Sequence, residues 1–164
     1  MIVLGIDPGY AIVGYGVIES RNLRYRTLEH GAITTKAGTA FERRLSSIYN
    51  GVTAVLKQWK PDAMAVEKLY FTNNKTTGIG VAEARGVILL AAEQAGVPIF
   101  EYTPMQVKMA VTGYGKALKP QVMEMTRRLL NLKEVPKPDD TADALAIAIC
   151  HSHTSGSPYR QFLR

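Results

Sequence analysis

Four carboxylates, distant from one another in sequence, each stand at the end of a predicted secondary-structure element. Asp7 closes the opening apolar run Met1-Ile2-Val3-Leu4-Gly5-Ile6, ahead of Pro8-Gly9. Glu67 closes a second run, Ala63-Met64-Ala65-Val66. Asp140 and Asp143 stand three apart at the head of a third, Asp140-Thr141-Ala142-Asp143-Ala144-Leu145-Ala146-Ile147-Ala148-Ile149. That spacing at a helix start puts both side chains on one face. If the strand ends and the helix start converge, four anionic oxygen donors meet in one place. Hard divalent cations such as Mg²⁺ take ligands of that kind. Without a cation the cluster repels itself, so the pattern points to two-metal cleavage of a phosphodiester.

Three of the carboxylates also have a plain structural reading. Asp7 before Pro8-Gly9 fits a turn, Asp140 fits a helix N-cap, and Glu67 fits a solvated strand end. Asp143 does not yield to capping. It lies inside an otherwise apolar helical run, where a charge is seldom tolerated without a partner.

The charge balance suits a polyanionic substrate. The formal net charge is +6. Much of it falls between Thr103 and Lys137, where Lys108, Lys116, Lys119, Arg127, Arg128, Lys133 and Lys137 face only Glu124 and Glu134. A charge run is often only a solvated face. Beside an acidic metal site, however, a basic flank can hold nucleic acid close to the bound cations.

At 164 residues, 46% hydrophobic and 21% charged, the composition is that of one globular domain, expected over residues 1–153, with 154–164 as an unstructured tail. No apolar stretch, Val87 to Ala92 included, is long enough to cross a bilayer. No signal-peptide charge pattern precedes the first strand. The single cysteine, Cys150, has no disulfide or metal-ligand companion, so packing in a reducing cytoplasm is its expected role.

The elements that must position the carboxylates follow from periodicity. Met1–Asp7 is apolar throughout, as a strand buried on both faces should be. Ile12–Glu19 is a second strand, whose Gly14 and Gly16 leave room for close backbone approach. Leu23–Ile33 alternates in part and is a third. Phe41, Leu45, Ile48, Val52, Val55 and Trp59 keep helical spacing up to Pro61. The Glu67 strand comes next, then a polar loop over 68–78 and a helix over Ile79–Gln94 that is apolar on more than one side. Val97–Tyr102 is a fifth strand. Thr103-Pro104 starts a helix, Pro120–Leu132 is another, and Asp140–His151 is the last. Three antiparallel strands followed by alternating helices and strands give an α/β fold, a mixed five-stranded sheet flanked by helices. Sites in such sheets gather at the carboxyl ends of adjacent strands, where Asp7 and Glu67 lie.

With these residues in place, the chain resembles the RuvC family of bacterial Holliday junction resolvases, crossover junction endodeoxyribonucleases of ribonuclease-H-like fold. The resemblance runs from Gly5-Ile6-Asp7-Pro8-Gly9, through Glu67-Lys68-Leu69-Tyr70-Phe71, Ala84-Arg85-Gly86 and Gln106-Val107-Lys108, to Ala142-Asp143-Ala144-Leu145-Ala146-Ile147-Ala148. The family's catalytic tetrad maps onto Asp7, Glu67, Asp140 and Asp143. Asp139 lies four before Asp143 and could substitute for Asp140 on helical spacing, although the family pattern favours Asp140. The family's basic residues near the scissile phosphate match Lys108 and Lys119, with Lys116 on the same DNA-binding flank. Its junction-inserting aromatic matches Tyr70, with adjacent Phe71 as the competitor.

The resemblance further implies two Mg²⁺ ions per site, with Mn²⁺ able to substitute. It also implies a homodimer joined through the second helix, four-way junction DNA as substrate, RuvA and RuvB as partners, and a cytoplasmic location without a membrane. Two metals roughly 4 Å apart would activate water and stabilise the leaving oxygen. The expected products are 5′-phosphate and 3′-hydroxyl ends, cut in symmetric pairs across a two-fold junction. His30, His151 and His153 read as surface or tail residues rather than ligands. Two rivals stand beside this expectation: a nuclease of the same fold with another nucleic-acid substrate, and a catalytically inactive nucleic-acid-binding module. An actin-like or sugar-kinase nucleotide binder shares the Asp-x-Gly strand end but needs a second equivalent domain.

Overall fold

The structure, a computed structural model, describes residues 1–22, 24–69 and 75–155. Strands β1 (Ile2–Asp7), β2 (Ile12–Arg21) and β3 (Arg24–Thr34) form an antiparallel meander, followed by helix α1 (Phe41–Trp59). Strand β4 (Ala63–Glu67), helix α2 (Lys75–Gln94), strand β5 (Ile99–Tyr102) and helices α3 (Pro104–Thr112), α4 (Lys119–Leu129) and α5 (Asp139–Ser155) complete the chain. The sheet order is β3-β2-β1-β4-β5. β1 pairs antiparallel with β2 and parallel with β4, and β4 pairs parallel with β5.

The central strand is buried on both faces because its alternate residues serve two cores. Leu4 and Ile6 point to the face covered by α1 and α2, with Met64 and Val66 of β4. Val3 points to the other face, with Ala63 and Ala65, where α3, α4 and α5 pack. Burying each of the Val, Leu, Ile and Met side chains contributes about 1.5–3 kcal/mol. Positions of odd number in β1 and β4 therefore face α5. Asp7 and Glu67 inherit that side.

Helix α5 lies unusually close to the sheet because glycines floor its groove. A Cβ added at Gly5 would stand 2.0 Å from the Ala144 carbonyl oxygen, and one at Gly14 would stand 2.0 Å from that of Asp140. At Gly16 it would meet the Leu145 side chain at 2.5 Å. No side chain fits under the helix at these positions. The close approach expected at Gly14 and Gly16 is thus made by α5, and Gly5 joins them.

Several boundaries differ from those predicted. Helix α2 begins at Lys75, inside the stretch 68–78 read as loop, because its polar first turn carries no apolar period to signal a helix. Strand β5 begins at Ile99 rather than Val97. Helix α4 stops at Leu129, short of Leu132, where Asn131 takes a left-handed φ of 51°. Helix α5 runs four residues past His151. Helix α3 opens as its Thr103-Pro104 sequence predicts. The Thr103 hydroxyl accepts from the Gln106 N–H, and the Gln106 side chain accepts from the Thr103 N–H, satisfying two helix-end donors at once.

Candidate active site

Asp7 and Glu67 end neighbouring parallel strands, one step past the Ile6–Val66 pair. Both point toward α5. The first turn of α5 meets them there, since Gly14, the β2 partner of Asp7, lies directly beneath Asp140. Thr141 holds the same turn by donating its hydroxyl to the Gly31 carbonyl of β3 at 3.1 Å. Asp143 follows one turn on, half-buried among the fully buried Ala142, Ala144 and Leu145.

Four negative groups at this end of the sheet affect one another. Asp7 is pushed up to about 8, first by burial and then by the charges of Glu67, Asp143 and Asp140, with Lys119 opposing. Glu67 is raised by burial and by Asp143, against Lys108 and Lys119. Burial penalises the charged form, and like charges penalise it further. The sequence-predicted carboxylates are brought together. Asp139 stands apart from Asp7 on the exposed side of the α5 start, where it pairs with Lys137 at 3.0 Å and Lys119 at 3.8 Å. Its carboxyl is held below the usual range, chiefly by the Lys137 hydrogen bond.

A cleft opens beside the carboxylates. Glu67, Asp143, Lys108 and Lys119 supply its charged lining, while Pro104, Val107, Val122 and Ile147 supply its apolar wall. Lys119 Nζ lies 2.9 Å from Asp143 Oδ2. Burial works against the lysine charge, but its hydrogen bond to Asp143 and the nearby carboxylates outweigh this and raise its proton affinity. Lys116 stands exposed on the turn before α4 and does not border the cleft. Tyr70 and Phe71 lie outside the described residues.

Among the described residues, no three His, Cys, Asp or Glu side chains already stand in an arrangement able to hold a metal ion. The donor chemistry nevertheless fits one. Four carboxylates supply only hard oxygen ligands. The high proton affinity of Asp7 marks a place where a positive charge is in demand. Asp143 meets that demand by contacting an ammonium group.

Of the histidines, His151 departs from the surface reading. It is buried on α5, with Nδ1 2.8 Å from the Tyr102 hydroxyl and its ring against Phe100. His153 is half-buried and stacks on Tyr25, far from the carboxylates, at the other end of the sheet. Neither is a ligand in the cluster. Cys150 is fully buried, as a packing residue should be, and burial lifts its thiol to about 12. The apolar cleft wall and the Lys119–Asp143 contact were not foreseen from sequence. The Pro104/Val107 spacing on a capped helix was the available sign of that wall. No described helix is long and apolar enough to cross a membrane.

Residues 3–151 match the family described as crossover junction endodeoxyribonuclease RuvC. A protein of that name from Brevibacillus brevis is 57% identical over 93% of this chain and 92% of its own length. Another from Clostridioides difficile is 52% identical over 94% and 92%. The structure of Thermus thermophilus RuvC in complex with a Holliday junction substrate superposes with a TM-score of 0.90 at 40% identity, covering 94% of each chain. A yeast mitochondrial Holliday junction resolvase, Ydc2, shares the fold at 14% identity and a TM-score of 0.65.

Proposed function

The chain belongs to the RuvC family of crossover junction endodeoxyribonucleases, and from that premise we propose that it resolves four-way DNA junctions in recombination and repair by hydrolysing one phosphodiester in each of two opposing strands. The convergence of Asp7, Glu67, Asp140 and Asp143 beside a lysine-lined cleft carries this proposal. Asp7 ends β1, the strand between β2 and β4, and would be a ligand shared by the bound metals. Glu67 and Asp143 would complete the metal shells, and Asp140 would lie near the attacking water. Bound divalent metal, Mg²⁺ with Mn²⁺ as substitute, would supply charge neutralisation and lower the pKa of water at neutral pH.

The rest of the chemistry belongs to side chains. Lys108 and Lys119 would draw the scissile phosphate into the cleft, and Lys116 would meet the backbone further out. Each phosphate contact adds salt-dependent affinity by releasing counterions. The apolar wall of Pro104, Val107, Val122 and Ile147 excludes water from one side, which strengthens charge interactions inside. Tyr70, or Phe71 beside it, would enter the opened crossover. Productive loading requires the Lys119 ammonium to leave Asp143 for the substrate phosphate.

Paired incision needs two sites. Helix α2 offers an exposed face of Ile79, Glu83, Gly86, Leu90 and Glu93, spaced four and three residues apart as in helix pairing. Added Cβ at Gly86 would meet nothing within 4 Å, so no contact inside the chain demands glycine there. A second copy placed across this face supplies the two-fold symmetry of the junction. RuvA and RuvB are the partners expected to deliver the junction, in the cytoplasm.

Synthetic four-way junctions incubated with the protein, with and without Mg²⁺, test this function. Symmetric nicks only with metal, and preference over linear duplex and RNA–DNA hybrid, are the expected result. Equal cleavage of hybrid would favour the rival nuclease. Binding without cleavage would favour the inactive module.

A further inference from the structure

Beside the cleft the protein exposes large apolar side chains that its own fold does not use. Met105 and Met109 lie one turn apart on α3 and are 64% and 52% exposed. Leu118, the residue before Lys119, is 69% exposed. Single exposed hydrophobic residues need no explanation, but a group next to a site does. Met105 and Met109 lie on α3 and Leu118 directly precedes α4, two helices that pack against each other. Gly115, in the turn between them, packs so closely that an added Cβ would stand 2.9 Å from Met105 Cγ and 3.6 Å from Met109 Cε. The glycine lets the chain pass under the two methionines and leaves their outer surface open.

The patch is interleaved with the charges of the site. Lys108 lies between Met105 and Met109 in sequence and lines the cleft, as does Lys119 next to Leu118. Thus each of two lysines able to hold a phosphate is followed or preceded in the chain by an exposed apolar residue, Met109 or Leu118. An unpaired nucleotide whose phosphate reached those lysines would have its base within reach of the methionines. Duplex DNA cannot offer that surface, because its bases are stacked inside. A nucleotide unstacked at a crossover can, and methionine and leucine are among the side chains that wedge against opened base steps. Methionine also adapts its shape to different partners.

We propose that Met105, Met109 and Leu118 form a seat for an unstacked nucleotide of the strand being cut, separate from the aromatic residues after Glu67. The seat deepens the junction-resolving function and rests on it. It makes binding selective for opened DNA, while the lysines bind any phosphate backbone. Its occupant is a nucleotide rather than a protein because Lys108 and Lys119, next in the chain to Met109 and Leu118, line a cleft that ends at carboxylates.

The test compares wild type with Met105→Ser/Met109→Ser, Leu118→Ser and the apolar control Met105→Leu/Met109→Leu, each checked by thermal unfolding. A junction with 2-aminopurine at the crossover reports unstacking, in Ca²⁺ so that binding is read without cleavage. The serine variants each lose an apolar contact with the base, so they should lose about tenfold or more in junction affinity. Their 2-aminopurine signal should fall, their affinity for linear duplex and its salt slope should stay at wild-type values, and the leucine variant should restore junction binding. Serine variants equal to wild type on junctions would overturn the seat, as would an equal loss on linear duplex. A wild type that neither prefers nor cuts junctions would instead overturn the function on which it rests.

Discussion

Lys119 Nζ lies 2.9 Å from Oδ2 of Asp143 and 3.8 Å from Oδ2 of Asp139, so one ammonium group tethers the start of α5 on both sides of its first turn. The contact does for Asp143 what a bound cation would do. It also links α4, whose first residue is Lys119, to the helix that carries two of the four carboxylates. The Lys119 side chain is half exposed, so the pair is screened and its net contribution to stability is small. Its importance is competition. An ammonium and a metal cannot both neutralise the same carboxylate oxygen.

Lys119→Met should therefore uncouple metal binding from cleavage. Methionine keeps most of the stem and removes the charge. Mn²⁺ affinity of the DNA-free protein, measured by calorimetry, should stay equal or rise, while junction cleavage falls by at least about tenfold, as expected for a lost phosphate contact that also positions the reacting group. A parallel loss of Mn²⁺ affinity would show that the lysine organises the metal site rather than competing with it.

Asp139 and Asp140 part in the structure. Asp140 bears on Asp7, whereas Asp139 is turned to Lys137 and Lys119. Asp140→Asn should abolish detectable junction cleavage, and so should Asp7→Asn, Glu67→Gln and Asp143→Asn, with junction binding largely kept. Asp139→Asn should retain most activity. An inactive Asp139→Asn beside an active Asp140→Asn would reverse the assignment.

Asp7 costs the metal-free protein stability. Its folded pKa of about 8 lies above the ordinary value of 3.8. The folded state thus binds the proton more tightly than the unfolded chain does. The sign follows: this penalty is absent below about pH 3.8, grows as pH rises, and is complete above about pH 8. Chemical denaturation of the metal-free protein should show declining stability from pH 6 to pH 9, and saturating Mg²⁺ should remove much of the decline. Asp7→Asn should be more stable than wild type at pH 8 without metal, by about 1–3 kcal/mol, because it buries no charge. Flat wild-type stability over that range would mean that Asp7 is already neutralised by other means.

The positions of Asp7 and Glu67 were legible because strand geometry leaves few choices. An apolar run ending in an acid puts that acid at a strand tip, and alternation decides its side. Asp143 was legible as the misfit charge in an apolar helix. Gly14 and Gly16 could be read as sites of close approach, but not which helix would come close, since that depends on contacts over more than a hundred residues of sequence. Gly5 was hidden in a strand that reads as apolar throughout. His151 was misjudged because its position near the chain end suggested exposure, while the Tyr102 hydroxyl that receives it lies on β5. The Lys119–Asp143 contact had no local sign at all. It arises because α4 and α5 pack side by side, and tertiary packing is not written in any one window of sequence. The first turn of α2 was lost for the opposite reason: a polar helix start looks like a loop when no apolar period marks it.

Gly86 and Leu90 provide the sharpest test of the symmetric cut. Leu89, their neighbour, is half-buried and packs on the α1/α2 core, so a charge there would disturb the fold. Leu90 is 50% exposed on the stripe it shares with Gly86. In an isolated chain glycine in mid-helix costs about 1 kcal/mol relative to alanine, and open space around Gly86 gives nothing back. Close approach of a second α2 in the proposed dimer would explain that cost. Gly86→Gln should raise the thermal stability of the monomer yet weaken the dimer, because the longer side chain holds the helices apart. Leu90→Glu should also yield monomers by burying unpaired charge at the contact. Both variants should keep metal binding and lose coordinated incision, leaving single nicks on a plasmid-borne cruciform where wild type linearises it. Sedimentation would decide the matter: wild type that is monomeric at micromolar concentration, both free and on junction DNA, leaves the two cuts without a symmetric cause.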